Sequence, residues 1–166
     1  VGIGKVPEAQ LDVRGNLNVD GVITNQQKPV FYAYTPGGAA LANGGTGAIN
    51  FTTTRINVGN CFNTSDYKFY APITGYYWFR LQILARYGTA NGSLETTLHK
   101  NGVDVSTRNL AYTQLVGAGD HDNLGFDFPL FCNAGDTVHP VVGTCAAGVN
   151  VYYGEDLGHF SGYFLG

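Results

Sequence analysis

The sequence contains no methionine, only one tryptophan and only three cysteines among its 166 residues. Three is an odd number, and no cysteine pair has the C-x-x-C spacing, which argues against a disulfide framework and against a zinc site. Cys61, Cys132 and Cys145 are therefore predicted to be buried free thiols. Because position 1 is a valine and the pattern starts abruptly, we expect the chain to be the C-terminal piece of a longer polypeptide.

Charge is also scarce, because charged residues make up 13% of the chain against about 25% in typical domains. The net charge is -3 and the Lys and Arg residues are scattered, so nucleic acid is not an expected partner. The sequence has no apolar run of membrane-spanning length and no signal-peptide pattern at its start, so the chain is expected not to be membrane-embedded. A neutral surface is typical of an obligate oligomer, and a surface that binds sugars would have a similar composition.

Helical periodicity is missing as well, whereas aromatic residues reach 13% and glycines number 24. The longest β-type pattern follows the turn at Ala71–Gly75 and alternates strictly from Tyr76. One face of this predicted central strand is wholly apolar and is expected in the core: Tyr77, Phe79, Leu81, Ile83 and Ala85. The other face carries Tyr76, Trp78 and Arg80, which favours a subunit interface, with an ordinary solvent face as the alternative.

Further short strands are predicted on both sides of this one. The first spans Lys28–Tyr34, a Gly-rich exposed loop follows at Thr35–Ala48, and Ile56, Val58 and Phe62 are expected to share one side of the next strands. Asn101-Gly102 predicts a tight hairpin with a return strand at Val103–Thr107. About eight to ten strands at this spacing indicate an all-β sandwich or barrel in one domain.

Residues Val1–Ile23 differ, because their apolar positions come in bursts too short to bury a face alone. We expect a short intertwined β stalk, with a flexible tail as the alternative. The predicted organisation is a stalk at 1–27 and a globular head at 28–166.

Several motifs resemble one family in the order in which that family carries them. They are Asn57-x-Gly59, Tyr67 to Phe79 (YKFYAPITGYYWF), Leu98 to Gly102 (LHKNG), Gly135-Asp136-x-Val138 and Phe160 to Leu165 (FSGYFL). This set is similar to the globular heads of complement subcomponent q and their tumour-necrosis-factor relatives, over about Pro29 to Gly166. The resemblance implies a ten-stranded jelly roll that assembles as a homotrimer and binds ligands on its outer faces or apex. The Gly-rich loop and the lack of an upstream collagen repeat depart from the family.

The upstream pattern VGIG…LDVxGN, over Val1–Leu17, is similar to segments that lead into tailed-phage fibre tips, and it also occurs in bacterial surface proteins. Together the two resemblances predict the receptor-binding tip of a viral, bacteriophage-type tail fibre. Such a head would sit extracellularly on the virion and attach to a receptor, glycan or protein, on the host cell surface. The alternative is a secreted or bacterial surface module of the same fold with a ligand-binding or structural role.

Catalytic chemistry is not expected, because the four histidines fall on separate predicted elements and no HExxH or GxSxG motif is present. A glycan depolymerase is the enzyme alternative, but paired carboxylates on a common strand face are absent. No cofactor is required. Asp120 and Asp122 offer oxygen ligands that could hold Ca²⁺, and a solvated loop is the alternative.

Receptor contacts are expected in loops whose composition serves no evident folding need. The candidates are Tyr87 and Asn91 in the loop Arg86–Ser93, and Asp120, His121 and Asp122 in the loop Gly117–Asn123. Aromatic rings stack on sugars, and Asp and Asn side chains hydrogen-bond to hydroxyls. The candidate trimer interface is Tyr76, Trp78 and Arg80.

Overall fold

A computed structural model of the chain describes residues 2–3, 12–13, 28–37, 40–41, 46–87, 92–106, 110–115, 119–145, 149–152 and 157–166. These residues form sixteen strands: β1 Gly2–Ile3, β2 Asp12–Val13, β3 Val30–Tyr34, β4 Ala40–Leu41, β5 Gly47–Ala48, β6 Thr53–Val58, β7 Phe62–Asn63, β8 Lys68–Tyr70, β9 Gly75–Tyr87, β10 Gly92–Lys100, β11 Val103–Asp104, β12 Ala111–Leu115, β13 His121–Cys132, β14 Thr137–Cys145, β15 Val149–Tyr152 and β16 His159–Phe164. Six of them have two residues and the other ten have three or more. None of the described residues is helical, and no helix that could cross a membrane is found among them.

Two antiparallel sheets of seven strands form a sandwich. In the first sheet β9 is central: β13 pairs with one edge, and β15 and β16 pair with successive parts of the other edge. Strands β3 and β6 continue that sheet beyond β16. In the second sheet β10 pairs with β14 on one side and with β11 and β12 on the other, and β14 pairs in turn with β5 and β8. The predicted all-β sandwich is confirmed.

The core lies between the sheets and is built largely from aromatic rings. The inward side chains of β9 are at most 1% exposed, which confirms the predicted apolar face of this strand: Tyr77, Phe79, Leu81, Ile83 and Ala85. Phe31 stacks on Phe69 at 5.3 Å between ring centroids, and Phe79 stacks on Phe160 at 5.8 Å. Each such ring contributes about 1.5–3 kcal/mol by leaving water, so this cluster dominates the stability of the sandwich.

All three cysteines are buried and free, as expected. Burial raises the pKa of the Cys61 and Cys132 thiols to about 11. Both therefore stay protonated at neutral pH, which fits packing rather than reactivity.

The hairpin predicted at Asn101-Gly102 is present, with φ of 53° and 81° at these two residues, as a type I′ turn requires. Its return strand β11 is shorter than predicted, because it ends at Asp104 rather than Thr107. Val105 N–H still donates to the Leu98 carbonyl at 3.0 Å. The Asp104 carboxylate then accepts a hydrogen bond from the Ser106 backbone N–H at 2.8 Å, which forms a local turn. Thr107 itself lies outside the described residues.

Two other expectations need correction. Ile56 and Val58 lie on the exposed face of the first sheet, whereas Phe62 is buried and belongs to the second. Gly59 and Asn60, both with positive φ, turn the chain between the sheets, so one alternation pattern could not continue through them. The stretch Thr35–Ala48 is not simply an exposed loop, because Ala40–Leu41 pairs with β15 and Gly47–Ala48 pairs with β14.

The two ends of β9 lie at opposite ends of the sandwich. At the Gly75 end, the Pro29 carbonyl accepts a hydrogen bond from Phe164 N–H and the Gly166 carbonyl accepts one from Tyr76 N–H, both at 2.9 Å. The thirteen residues of β9 span roughly 40 Å to Tyr87. Of the predicted stalk, the described residues are the parallel pair β1 and β2, with Gly2 opposite Asp12.

Candidate functional site

An aromatic surface covers the outer side of the first sheet. Tyr76, Trp78 and Arg80 point outward from β9, as the sequence predicted, and the register places Phe131 of β13 opposite Tyr76 and Tyr163 of β16 opposite Trp78. We call the surface formed by Tyr76, Trp78, Arg80, Phe131 and Tyr163 the aromatic face. Tyr76, Phe131 and Tyr163 are 56%, 42% and 47% exposed. Tyr76 and Phe131 pack edge to face at 5.2 Å between ring centroids.

Asp127 fixes the two side chains at the centre of the aromatic face. The Trp78 indole N–H donates to the Asp127 carboxylate at 3.1 Å, and the Arg80 guanidinium lies 3.7 Å from the other carboxylate oxygen. Asp127 is not among the residues that the sequence singled out. Its alternation with Leu124, Phe126 and Phe128 shows that it points outward, but only the strand register shows that it lies opposite Arg80.

The aromatic surface continues across β16, β3 and β6. His159 stacks on Tyr32 at 4.6 Å between ring centroids, and the Arg55 guanidinium lies 5.7 Å from the Tyr32 ring and 5.5 Å from the Tyr34 ring. Burial, and to a lesser extent the positive charge of Arg80, lowers the pKa of His159, which favours a neutral imidazole. The result is a broad face rich in rings and poor in net charge.

Such a face is unusual on a monomeric protein. Monomers seldom expose contiguous apolar patches beyond a few hundred Å², and Tyr, Trp and Arg are the residues enriched at subunit interfaces. A depression of 230 Å³ in the aromatic face, bordered by Trp78, Arg80, Asp127 and Tyr163, could accept a side chain from another subunit. The geometry therefore suits association with another protein surface.

The candidate receptor residues fall at the other end of the sandwich from Pro29. Tyr87 is the last residue of β9, and His121 and Asp122 begin β13, where His121 pairs with Arg86 and Asp122 with Ala85. The fold thus brings the beginning of the predicted loop Arg86–Ser93 next to the end of the predicted loop Gly117–Asn123. Asn91 and the Tyr87 side chain lie outside what the structure describes.

The two candidate metal ligands have nearby polar partners. The Asp122 carboxylate accepts a hydrogen bond from the Thr113 hydroxyl, and the Asp120 carboxylate accepts one from the His121 backbone N–H at 3.0 Å. Within the described part of the chain, no three His, Cys, Asp or Glu side chains are grouped so that they could hold a metal ion. Ca²⁺ binding at Asp120 and Asp122 stays a prediction.

Two of the four histidines meet on the second sheet, which the sequence did not indicate. His99 of β10 pairs with His139 of β14, and their ring centroids are 5.6 Å apart. Burial, followed by the neighbouring His99 and Lys68, lowers the pKa of His139 to about 4. Its sequence neighbours, Val138 and Pro140, give no sign of this environment.

Comparisons with known proteins agree with this architecture. The globular domain of zebrafish complement 1qA protein superposes with a TM-score of 0.59 at 14% sequence identity, covering 84% of this chain and 98% of that one. The Eiger TNF structure from S. frugiperda gives a TM-score of 0.60 at 12% identity, covering 84% of this chain and 93% of that one. At these identities the likeness shows the fold, and the predicted jelly roll is confirmed.

Sequence comparison gives the family. No match was found among curated proteins. The family model described as the C1q domain, by contrast, matches residues 30–165, which include both sheets of the sandwich. The chain therefore belongs to the C1q domain family.

Proposed function

We propose that the head, residues 28–166, is a homotrimeric ligand-binding module whose subunits meet through the aromatic face. The observation that carries this proposal is the exposure of Tyr76, Phe131 and Tyr163 on one side of the sandwich. A neighbouring subunit would remove these rings from water at about 25 cal/mol per Å² of apolar area. Asp127 already holds Trp78 and Arg80 in place, so association would cost little side-chain entropy at the centre of the contact.

We further propose that the head is the tip of a viral, bacteriophage-type tail fibre that attaches to the host cell surface, with residues 1–27 as its intertwined stalk. The support is the VGIG…LDVxGN pattern of the sequence. The protein would then be extracellular, on the virion, and would act by adhesion rather than catalysis.

Receptor contacts are proposed at the Tyr87 end of β9, through Tyr87, Asn91, Asp120, His121 and Asp122. In a head that the stalk enters near Pro29, this end faces away from the stalk. Three copies of Asp120 and Asp122 near a threefold axis would repel one another, which favours a bound Ca²⁺.

Attachment is tested with a fluorescently labelled head and a panel of bacterial strains, measuring the fraction of head bound to cells. Tyr87→Ala and the pair Asp120→Ala with Asp122→Ala are expected to keep the wild-type mass and to bind less. A chelator should have the same effect as the double variant if Ca²⁺ is bound. Unchanged binding by both variants would rule these loops out as the receptor site.

A secreted or bacterial surface module of the same fold is the second candidate, because the upstream pattern also fits bacterial surface proteins. The sequence of the upstream polypeptide separates the two. Repeated β-spiral segments would support a fibre, whereas a collagen repeat or a signal peptide would contradict it.

A further inference from the structure

A second surface, on the opposite side of the sandwich, carries a polar depression of 440 Å³. It crosses four neighbouring strands of the second sheet, in the order β5, β14, β10 and β11. We call this surface the polar face. The residues of the depression used below are Glu95, Thr97, His99, Asp104, Val141 and Gly143.

A β-bulge shapes the floor of the depression. Glu95 pairs with Thr144 and Thr96 with Val142, so Gly143 is the extra residue of β14 and leaves a gap in the outward row of side chains. A Cβ atom added at Gly143 would lie 3.7 Å from the Thr97 methyl group, which is an ordinary contact distance. A Cβ atom at this position is therefore tolerated by the backbone, and we expect a longer side chain to extend over the depression.

Thr97 supplies an unsatisfied polar group in this depression. Its side chain is only 5% exposed, and its hydroxyl has no hydrogen-bond partner among the described residues. His139, the next outward position on β14 beyond Val141, is also buried and has an unpaired Nδ1. Buried polar atoms in native proteins nearly always have a partner, and lacking one costs about 1–3 kcal/mol. The Thr97 oxygen is covered in this rotamer and the Thr97 methyl group faces Gly143. Rotation about χ1 exchanges the methyl and hydroxyl groups, and a ligand hydroxyl in the depression would then provide the partner that the protein does not.

The other lining groups narrow the chemistry of that ligand. The carboxylates of Glu95 and Asp104 accept hydrogen bonds and repel anions, and the His99 imidazole can donate and accept. Val141 and the Thr97 methyl group, which faces Gly143, give an apolar floor. Several convergent acceptors over an apolar floor suit a molecule with adjacent hydroxyl groups on one side and C–H groups on the other. We propose that the depression on the polar face binds a neutral saccharide.

The test uses saturation-transfer difference NMR with glucose, galactose, mannose and N-acetylglucosamine, and with N-acetylneuraminic acid as the anionic comparison. At least one neutral sugar is expected to bind, and the anionic sugar is expected not to. Thr97→Val removes the unpaired hydroxyl while keeping the side-chain shape, and should weaken binding about fivefold to tenfold without lowering the melting temperature. Gly143→Leu should abolish binding by occupying the depression.

Thr96→Val is the matched control, because Thr96 is also buried with an unpaired hydroxyl but faces the core from the other side of β10. This variant should bind sugar as the wild type does. The proposal is overturned if none of the four neutral sugars binds, if Gly143→Leu still binds, or if Thr96→Val and Thr97→Val weaken binding equally.

This site does not rest on the proposed trimer or on attachment to a host. A head that has the trimer mass and binds no sugar overturns the saccharide site alone. A monomeric head that binds sugar overturns the proposed assembly alone.

Discussion

The two outer faces of the sandwich are built on the same strand alternation and have opposite chemistry. The aromatic face exposes large rings that have few polar partners, whereas the polar face carries imidazoles, hydroxyls and carboxylates around a depression. Both sheets bury one side in a shared core, so the core places no demand on what the outer sides carry. The difference teaches that one fold can offer two unlike outer surfaces, and it suits the two proposed roles, association on the aromatic face and ligand binding on the polar face.

Replacing Trp78 with Asp is expected to have the largest effect. An unpaired carboxylate in a buried contact costs several kcal/mol. The wild-type 166-residue chain should therefore have three times the 17.7 kDa chain mass by light scattering, and the variant should have the chain mass. Val103→Asp is the control, because Val103 is 67% exposed on the second sheet. A monomeric wild type, or an equal loss of mass in both variants, would contradict the assignment of the aromatic face to assembly.

The second largest effect is expected from acid, which should lower the free energy of unfolding through His139 on the polar face. The folded-state pKa of His139 is about 4, below its ordinary value of 6.5, so the unfolded chain takes up the proton first as pH falls. The stabilisation is complete above pH 6.5 and is lost between pH 6.5 and 4, up to about 3 kcal/mol. Urea unfolding across this range should show the decline in the wild type and a flatter profile in His139→Gln. The exposed His121→Gln variant should keep the wild-type decline, and a loss of the decline in that variant instead would contradict the role of His139.

A smaller effect is expected from adding a methyl group at one of two glycines, Gly162 in the first sheet and Gly143 in the second. A Cβ at Gly162 would lie 2.8 Å from the rings of both Phe31 and Phe79, so Gly162→Ala should lower the free energy of unfolding by about 1–3 kcal/mol. The Cβ atom added by Gly143→Ala contacts only the Thr97 methyl group, so this variant should change the free energy of unfolding by less. Denaturant titration measures the free energy of unfolding of both variants. Similar losses in the two variants would contradict the tighter packing around Gly162.

The Arg80 and Asp127 pair should have the smallest effect on the isolated subunit. Their side chains are 53% and 44% exposed, so solvent screens the pair and Asp127→Asn should cost about 0.2–1 kcal/mol. The comparison is made in a Phe131→Asp background, where the subunit is expected to be monomeric and Trp78 keeps its contact with Asp127, by urea unfolding at low and high salt. A loss well above this range would mean that the pair stabilises the sheet itself.

The alternation of apolar residues determined much of the fold from the sequence alone. Strand β9 and its buried face follow from this alternation, because side-chain direction in a strand has a period of two. The turn at Asn101-Gly102 follows from the Asn-Gly dipeptide, and the burial of the cysteines follows from residue type. The outward position of Tyr76, Trp78 and Arg80 follows from the same rule.

What local pattern could not decide is which residues from distant parts of the chain become neighbours. Asp127 reaches Trp78 across 49 positions, and His139 meets His99 through the register of β10 and β14. The change of sheet at Gly59 and Asn60 separated Ile56 and Val58 from Phe62 in the same way. Register and sheet order depend on long-range pairing, which no window of neighbouring residues contains, so the central carboxylate of one face and the depression of the other appeared only in the tertiary structure.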